Sequence, residues 1–215
     1  MKKVLFQGDS ITDAGRNRQS DRTDKGYGYA TVVSAVLGAK YAGEYEFFNM
    51  GVGGNRIVDV YARMKKDILN LKPDYMSLLI GINDVWHEVD WQNGIDTKKF
   101  DKIYRMLIDE ILEELPDIKI MILGPFVGKG RSTLGAELND LERFDYFVKG
   151  SAEKAAVAKR IAEDYSFPFI DLQAVFDEAF TKADDDYWLD DGVHPLAAGH
   201  GLIADEWIKV FEKMK

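Results

Sequence analysis

The stretch VLFQGDSITD, residues 4–13, places three apolar residues shortly before a glycine, an aspartate and a serine. An apolar run this short, ended by polar and glycine residues, predicts a strand that is buried on both faces and then turns into a helix. Four further runs of the same kind follow along the chain: residues 47–49, 75–80, 119–123 and 167–170. The sequence therefore predicts five short strands, the first of which leads into Ser10.

Segments of helical period separate the predicted strands, because their apolar residues recur at spacings of three, four and seven. Strands that alternate with helices predict a parallel sheet covered on both faces and joined by right-handed crossovers. We therefore expect a single domain over residues 1–215, an α/β protein built as a three-layer α/β/α sandwich. The predicted helices cover residues 57–68, 100–115, 141–165, with Gly150 as a candidate break, and 196–211.

Composition narrows the class of protein further. The 215 residues carry 28 basic and 37 acidic side chains, a net charge of −9, which disfavours a protein that binds nucleic-acid phosphates. Cysteine is absent, which excludes disulfides, thiolate metal sites and a cysteine nucleophile. The first apolar run is too short for a signal peptide, and no stretch approaches the ~18 apolar residues of a membrane span. We expect a soluble, cytoplasmic protein.

Ligands of open parallel sheets bind beyond the carboxyl ends of the strands, so chemistry is expected in the loops that follow the strands. Ser10 lies in the first loop, at residues 8–22. At the start of a helix its oxygen gains from backbone N–H groups and the helix dipole, which suits a nucleophile, although a serine there also serves as a helix cap. The other loops lie at residues 51–56, 81–94, 124–135 and 184–195.

The second and third loops hold groups that can donate hydrogen bonds to a ligand. The second, NMGVGGNR at residues 49–56, has three glycines whose N–H groups suit an oxyanion or a phosphate. It lacks the spacing of a dinucleotide fingerprint, and residues 128–130 lack the Ser or Thr of a Walker loop. The third, GINDVWH at residues 81–87, offers Asn83, whose amide suits either an oxyanion or an Asx turn.

The last loop, DDGVHP at residues 190–195, places Asp191 three residues before His194 on a turn kinked by Gly192. This spacing lets the carboxylate reach the imidazole Nδ1 and orient Nε2 outward, as a general base requires. The alternatives are a surface turn with an incidental histidine, or a Ca²⁺ site built from the aspartates between residues 184 and 191. The EF-hand spacing is missing, so the sequence favours no metal site.

The blocks GDSI, NMGVGG, GIND and DGVH occur in the order that is typical of the SGNH hydrolases, also called GDSL-like lipases or esterases. The chain resembles this family from about residue 4 to its end, with Ile11 where leucine gave the GDSL block its name. The resemblance implies a flavodoxin-like sheet in the order 2-1-3-4-5 and an esterase that needs neither metal nor cofactor. No G-x-S-x-G elbow surrounds Ser10, which disfavours the other common serine-hydrolase pattern.

Carried over residue by residue, the family pattern implies a Ser-His-Asp triad. Ser10 would be the nucleophile, His194 the base and Asp191 the carboxylate that orients it. Such a triad hydrolyses carboxylic esters in two steps through an acyl-enzyme.

The same pattern implies three donors to the oxyanion. They are the N–H of Ser10, the N–H of Gly54 and the side-chain amide of Asn83. Gly54 stands five residues after Asn49, which is the family spacing, while Gly53 stays an alternative.

The first and third blocks further resemble those of bacterial acetylxylan esterases. This narrower likeness implies an acetylated sugar as the small-molecule ester substrate and association into a homo-oligomer. A GDSL-like lipase, a lysophospholipase or a thioesterase would use the same chemistry on another substrate. A non-catalytic sugar-binding relative is the alternative from a different class of protein.

Trp86 lies close to Asn83 in the sequence and is the candidate for stacking on a sugar ring, although large aromatic residues more often fill cores. His87 and His200 are interpreted as surface or packing residues, and contact with the substrate is the alternative for His87. Trp91 and Trp188 are assigned no role.

Overall fold

The computed structural model describes residues 1–17 and 24–215. Its strands are β1 Lys2–Gly8, β2 Tyr45–Asn49, β3 Tyr75–Leu79, β4 Lys119–Leu123 and β5 Phe169–Ile170. They pair in parallel in the order β2-β1-β3-β4-β5. The predicted five-stranded parallel sheet and the flavodoxin-like strand order are therefore confirmed.

Helices connect these strands, and α3 continues directly into a π-helical turn, Lys65–Leu69. Within the described part of the chain, no helix is both long and apolar enough to cross a membrane. The helices are α1 Ser10–Asp13, α2 Tyr29–Lys40, α3 Ile57–Met64, α4 Ile82–Trp91, α5 Thr97–Glu114, α6 Arg131–Leu134, α7 Leu141–Asp164, α8 Leu172–Phe180, α9 Asp185–Trp188 and α10 Ala197–Met214.

Alternate side chains of each strand enter two separate apolar clusters, one on each face of the sheet. In β1, Val4 and Phe6 belong to the cluster that includes Trp207 of α10. Leu5, between them, belongs to the cluster that includes Val60 of α3. Because both faces are buried under helices, the strands hold runs of consecutive apolar residues, such as Val4 to Phe6 in β1, rather than an alternation of apolar and polar residues. The predicted three-layer α/β/α sandwich is confirmed.

Two predictions of local structure are wrong. Residues 81–94, predicted as a loop, contain α4, because Ile82 and Val85 share a helix face that is buried in the core. Gly150 does not break α7, which runs through it as a helix of 24 residues.

Other parts of the chain also differ from the expectation of loops. The short helices α6 and α9 lie within predicted loops, and neither α2 nor α8 was predicted. Helix α1 begins at Ser10, where the sequence predicts a helix after the first strand. Of the first loop, residues 18–22 lie outside the described residues.

Gly150 sets the distance between α4 and α7. A Cβ atom at Gly150 would lie 2.7 Å from Cγ1 and 2.9 Å from Cγ2 of Val85. Carbon atoms do not approach this closely, so the two helices pack at their observed distance because residue 150 has no side chain. These two helices carry several of the side chains that lie beside the candidate site.

Gly150→Ala is expected to lower the free energy of unfolding by about 1–3 kcal/mol, because the added methyl group overpacks Val85. The matched control is Gly201→Ala in α10, where a Cβ would meet nothing within 4 Å. That change is expected to raise the free energy of unfolding by up to about 1 kcal/mol, the helix preference of alanine over glycine. Urea unfolding measures both variants. Equal stabilisation by the two substitutions would contradict the close packing of α4 on α7.

Candidate active site

Ser10 is the first residue of α1, directly beyond the carboxyl end of β1. The cap of this helix is the preceding residue, since Asp9 Oδ1 accepts a hydrogen bond from Ile11 N–H at 3.0 Å. The Ser10 hydroxyl does not serve as the cap and is available to another partner. Burial of the Asp9 carboxyl raises its pKa to about 7, although the Ile11 N–H and His194 oppose this effect.

The turn between α9 and α10 brings an imidazole and a carboxylate to Ser10. His194 Nε2 lies 2.8 Å from Ser10 Oγ. The other ring nitrogen, His194 Nδ1, lies 2.9 Å from Asp191 Oδ2. The structure therefore brings together the three residues that the sequence analysis selected, with the imidazole between the hydroxyl and the carboxylate.

The Asp191 carboxylate is held by hydrogen bonds on both oxygens. Oδ1 accepts from Val193 N–H at 2.9 Å and from His194 N–H at 2.8 Å. Oδ2 accepts from the His194 ring and, at 2.9 Å, from the Ser132 hydroxyl. Burial raises the pKa of Asp191, but the hydrogen bonds from the His194 ring and backbone outweigh it, so the pKa lies well below its ordinary value.

The pKa of the His194 imidazole shifts in the opposite direction, upward. Burial lowers the pKa of His194, whereas the hydrogen bond and the charge of Asp191 raise it. The net pKa of His194 lies above its ordinary value of 6.5. The imidazole is therefore a stronger base than a free histidine, and its protonated form is stabilised by the carboxylate behind it.

The segment after β4 supports the turn that carries the carboxylate and the imidazole. Gly128 N–H donates to Gly192 O at 2.9 Å, and Ser132 N–H donates to Asp191 O at 3.0 Å. A Cβ at Gly130 would lie 2.1 Å from the carbonyl carbon of Asp191, so this approach requires glycine. Sequence reasoning assigned no role in this support to Gly128, Gly130 or Ser132. The sequence signal for this support was the pair Gly128 and Gly130, which was compared only with the pattern of a nucleotide-binding loop.

The three candidate oxyanion donors follow neighbouring strands, Ser10 after β1, Gly54 after β2 and Asn83 after β3. The structure also distinguishes the two adjacent glycines. Gly53 N–H donates to Asp13 Oδ2 at 3.0 Å, whereas in the described part of the chain Gly54 N–H has no acceptor. Gly54 has a φ of +79°, and a Cβ there would meet nothing within 4 Å, so this residue borders open space. The geometry favours Gly54 over Gly53.

Asn83 is fixed at the start of α4. Its Nδ2 donates to Asn55 O at 3.2 Å, which leaves the second amide hydrogen for a ligand. The next residue, Asp84, is buried and accepts from Ile57 N–H at 3.2 Å with each carboxylate oxygen. The beginnings of α3 and α4 are thereby tied together beside the glycine-rich turn.

The remaining candidate side chains have different surroundings. The Trp86 ring lies 5.9 Å from the His194 ring, with their planes inclined by 50°, so Trp86 forms a wall beside the imidazole. The His87 ring meets the Trp91 ring edge-on at 4.7 Å. His200 is buried, its Nδ1 accepts a backbone N–H of α2 at 3.2 Å, and burial lowers its pKa to about 4. His87 and His200 therefore make packing contacts.

Three of the five aspartates in the alternative Ca²⁺ cluster are engaged by other protein groups. Asp185 Oδ2 accepts from Lys129 N–H at 2.6 Å, Asp190 pairs with Arg131, and Asp191 holds the imidazole. Within residues 1–17 and 24–215, no group of three or more histidine or acidic side chains is arranged to hold a metal ion.

Comparison with known proteins agrees with the family resemblance carried by the blocks GDSI, NMGVGG, GIND and DGVH. The model of the GDSL-like lipase/acylhydrolase family matches residues 6–202. The chain belongs to this family. It is 32% identical over 217 residues to an acetylxylan esterase of Geobacillus stearothermophilus, covering 97% of this chain and 93% of that protein.

Two solved structures are similar over nearly the whole chain. A GDSL-like lipase candidate from Parabacteroides merdae has a TM-score of 0.88 and 31% identity, covering 97% of this chain and 94% of the other. A catalytic mutant of an acetylxylan esterase from Geobacillus stearothermophilus has a TM-score of 0.82 and 30% identity, covering 97% and 93%. The resemblance to the SGNH hydrolases is confirmed. The chain is a carboxylic ester hydrolase, and its substrate is a small-molecule ester.

The activity of this esterase on an aryl acetate is expected to fall as the pH drops through the pKa of His194. A protonated imidazole cannot accept the Ser10 proton, so kcat/KM should decline with a midpoint above 6.5. Asp191→Asn removes the charge that raises this pKa. Its midpoint should move to lower pH, and its kcat should fall by about 10²–10⁴.

The matched control is Asp190→Asn, which changes the neighbouring, more exposed carboxylate that pairs with Arg131. Its kcat should stay within about threefold of the parent value, as for most exposed positions. Equal losses in the two variants, or a parent midpoint at or below 6.5, would contradict the assignment.

Proposed function

We propose that the chain is a serine esterase that removes acetyl groups from acetylated xylo-oligosaccharides, with Ser10, His194 and Asp191 as its triad. The observation that carries the mechanism is the 2.8 Å contact between Ser10 Oγ and His194 Nε2, with Asp191 on the other ring nitrogen. The substrate is proposed from the similarity to acetylxylan esterases, because the same chemistry also cleaves other esters.

In the first half-reaction, His194 Nε2 takes the Ser10 proton as Oγ attacks the acetyl carbonyl carbon. The carbonyl oxygen becomes an oxyanion, for which the N–H groups of Ser10 and Gly54 and the amide of Asn83 are the proposed donors. Asp191 stabilises the imidazolium that forms. The imidazolium then gives its proton to the sugar oxygen, and the alcohol leaves as its bond to the acetyl carbon breaks.

In the second half-reaction, a water molecule gives a proton to His194 and attacks the acetyl group on Ser10. The bond to Oγ breaks as the proton returns from the imidazole to the serine, and acetic acid leaves and loses its proton to solvent to become acetate. Neither half-reaction requires a metal ion or an organic cofactor.

Trp86 is proposed to contact the sugar. His194 protonates the departing alcohol, so a side chain beside the imidazole lies on the alcohol side of the ester. The Trp86 ring occupies this position, 5.9 Å from the His194 ring, and an indole face packs well on a sugar ring. Association into a homo-oligomer and a cytoplasmic location stay predictions, the first from the likeness to acetylxylan esterases and the second from the bulk properties of the sequence.

A purified Ser10→Ala protein should fold as the parent does and lose about 10³-fold or more of its turnover of an aryl acetate, because the nucleophile is missing. The parent should release acetate from acetylated xylo-oligosaccharides. It should also hydrolyse an aryl acetate at least about tenfold faster than the matching aryl octanoate.

These assays separate the parts of the proposal. Comparable turnover of octanoate and acetate would favour a lipase or a thioesterase over a deacetylase. Undiminished turnover of aryl acetate by Ser10→Ala would show that Ser10 is not the nucleophile.

A further inference from the structure

Helices α4 and α7 each contribute two side chains, four residues apart, to a closed cycle of contacts beside the triad. Trp86 Nε1 donates to Asp90 Oδ2 at 2.6 Å, and Asp90 Oδ1 accepts from Arg143 Nη1 at 2.8 Å. The Arg143 guanidinium lies 5.3 Å from the centre of the Phe147 ring. The Phe147 ring in turn meets the Trp86 ring edge-on at 5.9 Å. We call these four residues the α4–α7 quartet.

The α4–α7 quartet is connected to the triad on two sides, directly through Trp86 and indirectly through Ser132. On one side, the Trp86 ring lies 5.9 Å from the His194 ring. On the other side, Arg143 Nε donates to Ser132 O at 2.8 Å. The hydroxyl of the same serine, Ser132 Oγ, donates to Asp191 Oδ2 at 2.9 Å. A continuous chain of contacts therefore runs from the wall beside the imidazole to the carboxylate behind it.

Arg143 joins the two sides because its guanidinium donates in two fixed directions. Its Nη1 holds Asp90 and its Nε holds the Ser132 carbonyl. The side chains of the Arg143–Asp90 pair are 20% and 29% exposed, so solvent screens this pair less than a surface pair. A lysine carries the same charge but lacks the planar fork that makes both contacts.

The packing of the helices supports this arrangement. Gly150 of α7 meets Val85 of α4 at a distance that leaves no space for a Cβ. Trp86 directly follows Val85 on α4, and the buried Phe147 ring of α7 contacts both the Arg143 guanidinium and the indole. Movement of α7 relative to α4 would therefore disturb the wall and the carboxylate together.

We propose that Arg143 is a positioning residue for ester hydrolysis, which holds Trp86 through Asp90 and Asp191 through Ser132. The side chain that contacts the sugar and the triad that cleaves the ester are thereby held in fixed positions relative to each other. This inference rests on the proposed function, since it takes Trp86 as the wall on the alcohol side and Asp191 as the triad carboxylate. Arg143 itself touches neither the substrate nor the reacting atoms in this account.

Arg143→Met tests both connections with two substrates. Loss of the support for Ser132 should lower kcat on an aryl acetate by about three- to tenfold, the value of one hydrogen bond. Loss of the support for Trp86 should raise KM for acetylated xylo-oligosaccharides by about three- to tenfold. Arg143→Lys keeps a charge beside Asp90 and should restore this KM more than kcat. The matched control, Arg160→Met, removes an α7 arginine that pairs with Asp101 and should change neither constant.

Ser132→Ala tests the connection to the carboxylate without changing the α4–α7 quartet. The hydrogen bond from the Ser132 hydroxyl partly offsets the negative charge of Asp191. Without it, the carboxylate stabilises the imidazolium more strongly, which raises the pKa of His194. The acid midpoint of kcat/KM should move to higher pH, and kcat on an aryl acetate should fall by about three- to tenfold. Ser132→Thr keeps a hydroxyl and should restore both. A loss of packing alone would not move the midpoint.

The proposal is wrong if Arg143→Met matches Arg160→Met on both substrates, or if Ser132→Ala leaves the acid midpoint unchanged. Should Arg143→Met fail to fold, Asp90→Asn removes the charge that holds Arg143 and decides the connection to Trp86 through KM. If the parent cleaves an aryl acetate but no acetylated xylo-oligosaccharide, the proposed substrate is wrong. The connection to Asp191 is then still decided by aryl acetate kinetics and the pH profile.

Discussion

The hydrogen bond between Ser10 Oγ and His194 Nε2 joins two residues that lie 184 positions apart in the chain. The parallel sheet makes it possible, because the carboxyl ends of all five strands meet at one edge. The turn that carries Asp191 and His194 nevertheless follows β5, which is not adjacent to β1 in the sheet. The segment after β4 closes this gap, since Gly130 packs against the Asp191 backbone and Ser132 bonds to its carboxylate.

Two aspartates act on the same imidazole, and their surroundings give them opposite properties. Asp9 is buried, and one of its oxygens has no hydrogen-bond partner in the described part of the chain, so burial raises its pKa to about 7. Asp191 is also buried, but hydrogen bonds on both oxygens hold its pKa well below the ordinary value. Asp191 is thus the carboxylate that stays charged beside His194, while Asp9 caps α1 and leaves the Ser10 hydroxyl available.

The sequence correctly predicts those features that depend on the pattern of neighbouring residues. Short apolar runs define the five strands, and the spacing of Asp191 and His194 anticipates their contact. Helix α4 was missed because GIND, its cap and first three residues, has the composition of a turn, and burial of Val85 outweighs that local preference. The break at Gly150 was wrongly predicted for the same reason, since the contact that favours glycine there comes from another helix.

Contacts between distant segments also explain what sequence reasoning left open at the site. The choice between Gly53 and Gly54 depends on Asp13, the last residue of α1, which accepts the Gly53 N–H. Labelling with a fluorophosphonate tests the central claim most directly, with the modified residue identified by peptide mass. Our account predicts modification at Ser10, slowed about 100-fold or more in His194→Ala and unchanged in His87→Ala. Labelling at another residue, or equally fast labelling of Ser10 in His194→Ala, would contradict it.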